Sequence, residues 1–305
     1  MSAADVGGWW QAIRRDRKAI AGLVILGLFV LVGAIGPLLV GDPDALVGIP
    51  LQPPSAAHWL GTTGQGQDVL AQTVVGTRVS LLIGFGVGLA VVLVGATVGV
   101  AAGYFGGRID AALSLLFNVF LVLPSLPLAI VLAAYLPSGP FTVGLVLVVT
   151  GWAWNARVVR GQTLALRERD FVAAAIVSGE SGPRIVLREI LPNMTSLLVA
   201  QVIGSTVYAI GAQVGLEFLG LGDVSAFTWG TNLYWATNDS ALLTGAWWTF
   251  VPTGLCVALV GFALTLVNSG FDEVTNPRLG LERAWRDHLA RRGVVPGRST
   301  PVVIE

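Results

Sequence analysis

One cysteine, one lysine and two histidines are all that the 305 residues contain of these types, and each shortage closes off a kind of chemistry. Cys256 stands alone inside an apolar run, which leaves no intramolecular disulfide and no cysteine metal cluster. A Walker-type phosphate loop needs a lysine to reach the terminal phosphates, and Lys18 has no Gly-x-x-x-x-Gly ahead of it. The glycine cluster Gly61-Thr-Thr-Gly-Gln-Gly66 lacks that lysine and is expected to be a turn. His58 and His288 fall on opposite sides of the topology derived below, so no histidine metal or catalytic pair is expected, and no nucleophile has a visible paired base. The reading is of a chain without catalytic residues, metal, cofactor or nucleic-acid partner.

What the chain has instead is apolar length. Hydrophobic residues make up 54% and charged residues 12%, about half the charge of an ordinary globular domain. Six stretches are long and apolar enough to span a bilayer: Ile20–Val40, Leu81–Tyr104, Ala111–Tyr135, Phe141–Trp154, Thr195–Leu216 and Phe250–Asn268, the fourth being the shortest. In hydrocarbon each backbone polar group must be satisfied within its own segment, and none of the six alternates as a barrel strand would. An all-α, polytopic membrane protein with six transmembrane helices follows, rather than two soluble domains.

Positive charge orients the bundle. Arg14, Arg15, Arg17 and Lys18 precede the first span, Arg108 lies between the second and third, and Arg157, Arg160, Arg167, Arg169, Arg184 and Arg188 lie between the fourth and fifth. The loops at 41–77, 136–140 and 220–249 carry no Lys or Arg, and only Arg78 sits at that boundary. The expected organisation is a cytoplasmic N-terminal segment at 1–18, a membrane domain at 19–279 with external loops at 41–77 and 220–249 and a cytoplasmic loop at 157–193, and a cytoplasmic tail at 280–305. The basic N-terminus and first span read as a retained signal anchor, with Trp9 and Trp10 either on a short in-plane helix or as interfacial anchors on a disordered tail.

An ion-driven carrier needs ionisable groups inside the membrane. The central parts of all six stretches have none; Asp110, Glu217, Asp272 and Glu273 lie at or beyond the ends. Energy for any transport is therefore expected from outside the chain, through the polar island between the fourth and fifth spans. In that island Phe171, Ala174, Ala175 and Val177 form the apolar side of a short helix begun at Asp170, with Gly179 ending it or allowing close backbone approach. Pro183 suits the first turn of a second helix that runs toward Pro192. Two short helices of this kind suit a groove on a partner.

In the fifth span Gln201, Ser205 and Tyr208 recur at i, i+4 and i+7 and share one face. They either line a substrate path or act as hydrogen-bonding glue against a neighbour, and Gly204, Gly211 and Gly215 would allow the close contact that glue requires. Phe227, Trp229, Tyr234, Trp235, Trp247 and Trp248 read as an interfacial aromatic belt, with a ligand platform as the alternative. Arg157 and Arg160 are assigned to enforcing topology.

Taken in order, four segments resemble one family, the second permease of the dipeptide, oligopeptide and nickel group of bacterial ABC importers. Asp170-Phe-Val-Ala-Ala-Ala-Ile-Val-Ser-Gly179 followed by Glu189-Ile-Leu-Pro192-Asn193 is similar to the family's Glu-Ala-Ala coupling loop. Leu60–Leu70 with Gly76-Thr-Arg-Val-Ser-Leu81, Glu217-Phe-Leu-Gly-Leu-Gly222 with Trp229-Gly230, and Asn276-Pro-Arg-Leu279 resemble further family segments. Ala173 stands where the family has its acidic residue, and Glu189 where an apolar residue or histidine is usual. The resemblance implies a type I ABC importer permease fold in the inner membrane, with both termini cytoplasmic. It implies Asp170, Ala174, Ala175, Gly179 and Pro192 as ATPase-coupling residues. The implied partners are a second homologous permease, two cytoplasmic ATPases, an extracytoplasmic solute-binding protein and membrane lipid, and the implied cargo is peptides, with oligosaccharides or nickel as alternatives. An ion-coupled secondary transporter is the alternative from another class.

Overall fold

The computed structural model describes residues 16–275, with side chains through residue 270. Trp9, Trp10, Arg14, Arg15, the Asn276–Leu279 motif and the tail lie outside the described residues. Among those described, every regular element is helical apart from isolated bridges between Leu46 and Gln67 and between Thr62 and Asp68. Five helices are long and apolar enough to cross a membrane: α1 (Arg17–Leu39), α2 (Val69–Phe105), α5 (Pro140–Arg167), α8 (Thr195–Phe218) and α10 (Val251–Thr275). A sixth crossing exists if α3 (Gly107–Val122) and α4 (Ser125–Tyr135) are counted together, and these two meet at 87°. The single straight helix expected over 111–135 is thus broken. Pro124 has no N–H to continue the helix, and its ring drives Leu123 into extended backbone at φ −71°, ψ 130°.

Two helices outrun their apolar cores. With 37 residues α2 is about 55 Å long, well beyond a hydrocarbon layer of about 30 Å. Its first turns bury Gln72, Thr73, Thr77 and Ser80, polar residues that lie ahead of the apolar stretch expected from Leu81. Thr73 and Thr77 hide their hydroxyls by donating to the carbonyls of Val69 and Thr73, each at 2.8 Å. Helix α5 likewise continues through Arg157 and Arg160 to Arg167.

Helix α2 is the hub, packed most extensively against α5 and then against α8 and α1. Gly95, Gly99 and Gly103, four residues apart, form a flat stripe pressed onto α5. A methyl group at Gly99 would come within 2.9 Å of the Arg160 backbone nitrogen, and one at Gly103 within 2.7 Å of Thr163 Cβ. Small residues at this spacing let two backbones approach where lipid supplies no hydrophobic drive. The close contact expected of Gly204, Gly211 and Gly215 is absent: a Cβ at any of them would meet open space.

Short helices decorate both ends. At one end, here called the knob end, α6 (Asp170–Val177) and α7 (Gly182–Ile185) join α5 to α8. At the opposite loop end, α9 (Trp229–Asn238) lies between α8 and α10. Thr228 caps α9 reciprocally: its hydroxyl accepts the Thr231 N–H at 3.1 Å while its own N–H donates to Thr231 Oγ1 at 2.9 Å.

Candidate functional site

The knob is built on a helix stop. After Val177 the backbone turns left-handed at Gly179 (φ 78°), so that the Gly179 N–H reaches the Ile176 carbonyl at 3.0 Å and the Glu180 N–H reaches Ala175 at 3.1 Å. This paired closure satisfies carbonyls the helix end leaves open, and glycine adopts it without a Cβ clash. A Cβ at Gly179 would meet nothing within 4 Å, so conformation and not close approach accounts for the residue. Asp170 is exposed in the first turn of α6, where a negative charge complements the helix dipole. Beyond α7 the chain widens into a π-type turn over Val186–Ile190 and then passes through Leu191–Asn193, where Pro192 is half-buried.

Of the expected apolar side Phe171-Ala174-Ala175-Val177, only Ala175 turns inward. Val172 is fully buried, with Ala175 packed behind it, in a cluster shared with Val100 of α2, Val159 and Leu166 of α5, and Ile185, Ile190 and Met194. Phe171, Ala174 and Val177 point outward instead, and Val177 is 88% exposed, with Ile176 and Leu187 beside it in the open. The two faces of the knob therefore differ: one is sealed onto the helices that continue into the membrane, and the other is apolar and uncovered.

Deeper in the bundle a cavity of about 790 Å³ opens where α3 breaks into α4. Leu123, Pro124 and Ser125 of the break form one wall, Thr150, Trp154 and Asn155 of α5 another, and Gln201, Ser205 and Tyr208 of α8 a third. The structure thus brings the three residues of the fifth-span stripe onto one cavity. Two also make hydrogen bonds: Asn155 Nδ2 donates to Ser205 Oγ at 3.2 Å, and Tyr208 Oη donates to Ser125 Oγ at 3.3 Å. The Gln201 side-chain oxygen, Oε1, is buried without a partner. No Asp, Glu, Lys, Arg or His lines this space.

Several functional neighbours had no local signal. Arg160, assigned to topology, also grips Asp110 at the start of α3 through Nε (2.5 Å) and Nη2 (2.7 Å), tying α5 to the broken span. Trp229, assigned to an interfacial belt, is 0% exposed in a core with Phe29, Leu81, Ile210 and Val260. At the loop end Thr63–Gly66 makes the expected turn, closed by the Gly66 N–H on the Thr63 carbonyl at 3.0 Å. Partial burial raises the Asp239 carboxyl above its usual range, opposed by the Gly64 N–H and the Gln65 amide, while the Ser225 hydroxyl and N–H lower Asp223.

Comparison with known proteins gives this architecture its family. Residues 95–279 match the family described as binding-protein-dependent transport system inner membrane component, and residues 7–54 match the N-terminal TM domain of oligopeptide transport permease C. The dipeptide transport system permease protein DppC of Bacillus subtilis (strain 168) is 34% identical over 277 residues, covering 88% of this chain and 85% of its own. The oligopeptide transport system permease protein OppC of Mycobacterium tuberculosis (strain ATCC 25618 / H37Rv) is 37% identical over 271 residues, covering 86% and 91%. OppC of Bacillus subtilis (strain 168) is 32% identical over 287 residues, covering 92% of each. The chain therefore belongs to the binding-protein-dependent transport system inner membrane component family, as a multi-pass membrane permease.

Proposed function

We propose that this permease forms half of the pathway of an ATP-driven importer for di- and oligopeptides, in a bacterial inner membrane with both termini and the knob in the cytoplasm. Its partners are a second, homologous permease, two ATPase subunits that seat the knob, and a solute-binding protein that delivers cargo at the loop end. Asp170, Ala174, Ala175, Gly179 and Pro192 build the ATPase-coupling element, and Gln201, Ser205 and Tyr208 face the passing substrate. The peptide reading is supported by relatives named for dipeptide and oligopeptide transport.

The observation that carries the proposal is the two-faced knob. Its outward face is apolar and suited to a groove on a partner, while Val172 and Ile185 on the other face share a buried cluster with α2 and α5, which also line the cavity. A push on the knob is thereby delivered as a displacement of cavity walls. No chemistry on the cargo is required; the permease contributes by stabilising cavity states differentially as the ATPases cycle.

The neutral cavity fits an externally driven machine, since it offers no ionisable group for proton or sodium coupling. The test is Gly179→Trp in the reconstituted transporter. A side chain at φ 78° forces the turn out of its left-handed form, so peptide uptake and cargo-stimulated ATP hydrolysis are both expected to collapse in a complex that still inserts. Unchanged uptake and hydrolysis would remove the docking role.

A further inference from the structure

Glu217 lies in the last turn of α8 and is 1% exposed, yet no cation pairs with it among the described residues. A buried carboxylate without a counter-charge is costly unless donors saturate it. Here the donors are the Thr228 hydroxyl at 2.6 Å, the Gln213 amide at 3.1 Å and the Gly230 backbone N–H. Two of these three come from the start of α9, so the acid sits at a helix N-terminus, where open N–H groups and the dipole favour negative charge. The fit is close. A methyl group at Gly230 would come within 2.6 Å of Glu217 Oε2 and 3.0 Å of the Val214 carbonyl.

The same end of α9 is fastened a second time, to a different helix. The Trp229 N–H donates to Ser80 Oγ at 3.0 Å and its indole N–H to Thr77 Oγ1 at 3.3 Å, both on α2. Helix α9 therefore bridges α8 and α2 at the loop end. Glu217 makes the α8 half of that bridge, and it rides on the helix that presents Gln201, Ser205 and Tyr208 to the cavity. From Tyr208 to Glu217 is about 14 Å along the helix axis.

We propose that Glu217 is the positioning residue that makes α9 move as one body with α8, so that a protein seated on the loop end is sensed at the cavity. This rests on the reading of the loop end as the face met by a solute-binding protein and of α8 as a pathway helix. The carboxylate touches no cargo; it holds the external helix in register with the cavity wall.

The test uses the assembled transporter in lipid nanodiscs with its binding protein. In Glu217→Ala, assembly is retained and basal ATP hydrolysis stays within about twofold, whereas the stimulation by loaded binding protein falls about fivefold. Thr228→Val removes the donor on α9 and lowers stimulation in the same way, while Thr228→Ser keeps the hydroxyl and restores it. The Glu217→Ala/Thr228→Val pair loses less than the sum of the two single losses, because the Thr228–Glu217 bond is common to both, although Thr228→Val also opens the α9 cap. Full stimulation in an assembled Glu217→Ala complex, or additive losses in the pair, overturns the proposal. If Glu217→Ala does not assemble, the Thr228→Val and Thr228→Ser contrast decides alone, equal stimulation counting against the proposal. Failure of the reading it rests on is distinct: it shows as no stimulation by loaded binding protein in the unaltered transporter, before any substitution is made.

Discussion

The knob end and the loop end of this bundle are fastened by different forces. The knob is held by Val172, Ile185, Ile190 and Met194 in an apolar cluster with α2 and α5, and its backbone turn is closed by its own N–H groups. The loop-end helix α9 is held by directed bonds, Thr228 to Glu217 and Trp229 to Ser80 and Thr77, around a fully buried indole. Apolar contact is non-directional, so a knob seated this way can tilt while staying attached. Hydrogen bonds to buried groups lose their worth when misaligned, so α9 holds one register. The difference suits a part that is pushed and a part that reports position.

The strongest way to break this contrast is Trp229→Ala. It empties the core between α1, α2, α8 and α10 and removes the indole donor to Thr77 Oγ1, while the backbone bond to Ser80 stays, and a loss of about 3–5 kcal/mol is expected. Thermal unfolding of the purified complex followed by tryptophan fluorescence measures it, and a Tm within a degree of the parent would mean that α9 is not locked.

At the knob, the comparison is sharpened by two substitutions a few residues apart. Val172→Ala removes buried methyl groups and is expected to cost about 2 kcal/mol, with coupling between hydrolysis and uptake weakened as the knob loosens on α5. Val177→Ser, on the uncovered face, is expected to leave stability within about 0.5 kcal/mol while reducing association with the ATPase subunits in pull-down. Equal effects of the two on stability would erase the distinction between anchored and free faces.

The smallest expected effect concerns Asp239. Its carboxyl is raised by partial burial, so the folded state disfavours the charged form, and that penalty is present above the raised range and vanishes as pH falls through it. Asp239→Asn keeps an acceptor for Gln65, which now donates to the Asp239 carboxylate at 3.2 Å. At neutral pH the variant should melt about 1 °C higher, and the difference should disappear in acid; a lower Tm at neutral pH would show the ionised form to be favoured instead.

Much of the architecture could be read from residue order. The helical class, the apolar stretches and the permease family were all accessible, and Pro124 marks the break in the third stretch although hydropathy runs straight through it. The knob phase was harder: Phe171 through Val177 are all apolar, so no polar residue marks which side faces out. Nothing in the sequence set the Gly95-Gly99-Gly103 stripe, which packs onto α5, above Gly204, Gly211 and Gly215, which were expected to make close contact and meet nothing. Asp110 and Arg160 stand 50 positions apart, and Ser80 and Trp229 stand 149 apart, without any local hint that they meet.

What residue order determined by itself was the helical nature of the long apolar stretches, because a backbone in hydrocarbon must close its hydrogen bonds within each segment. Which faces of those helices touch was left to tertiary structure. Lipid and protein surfaces are equally apolar to a leucine, so hydropathy cannot choose between them; shape at the glycine stripe and the few buried donors around Glu217 and Arg160 made that choice.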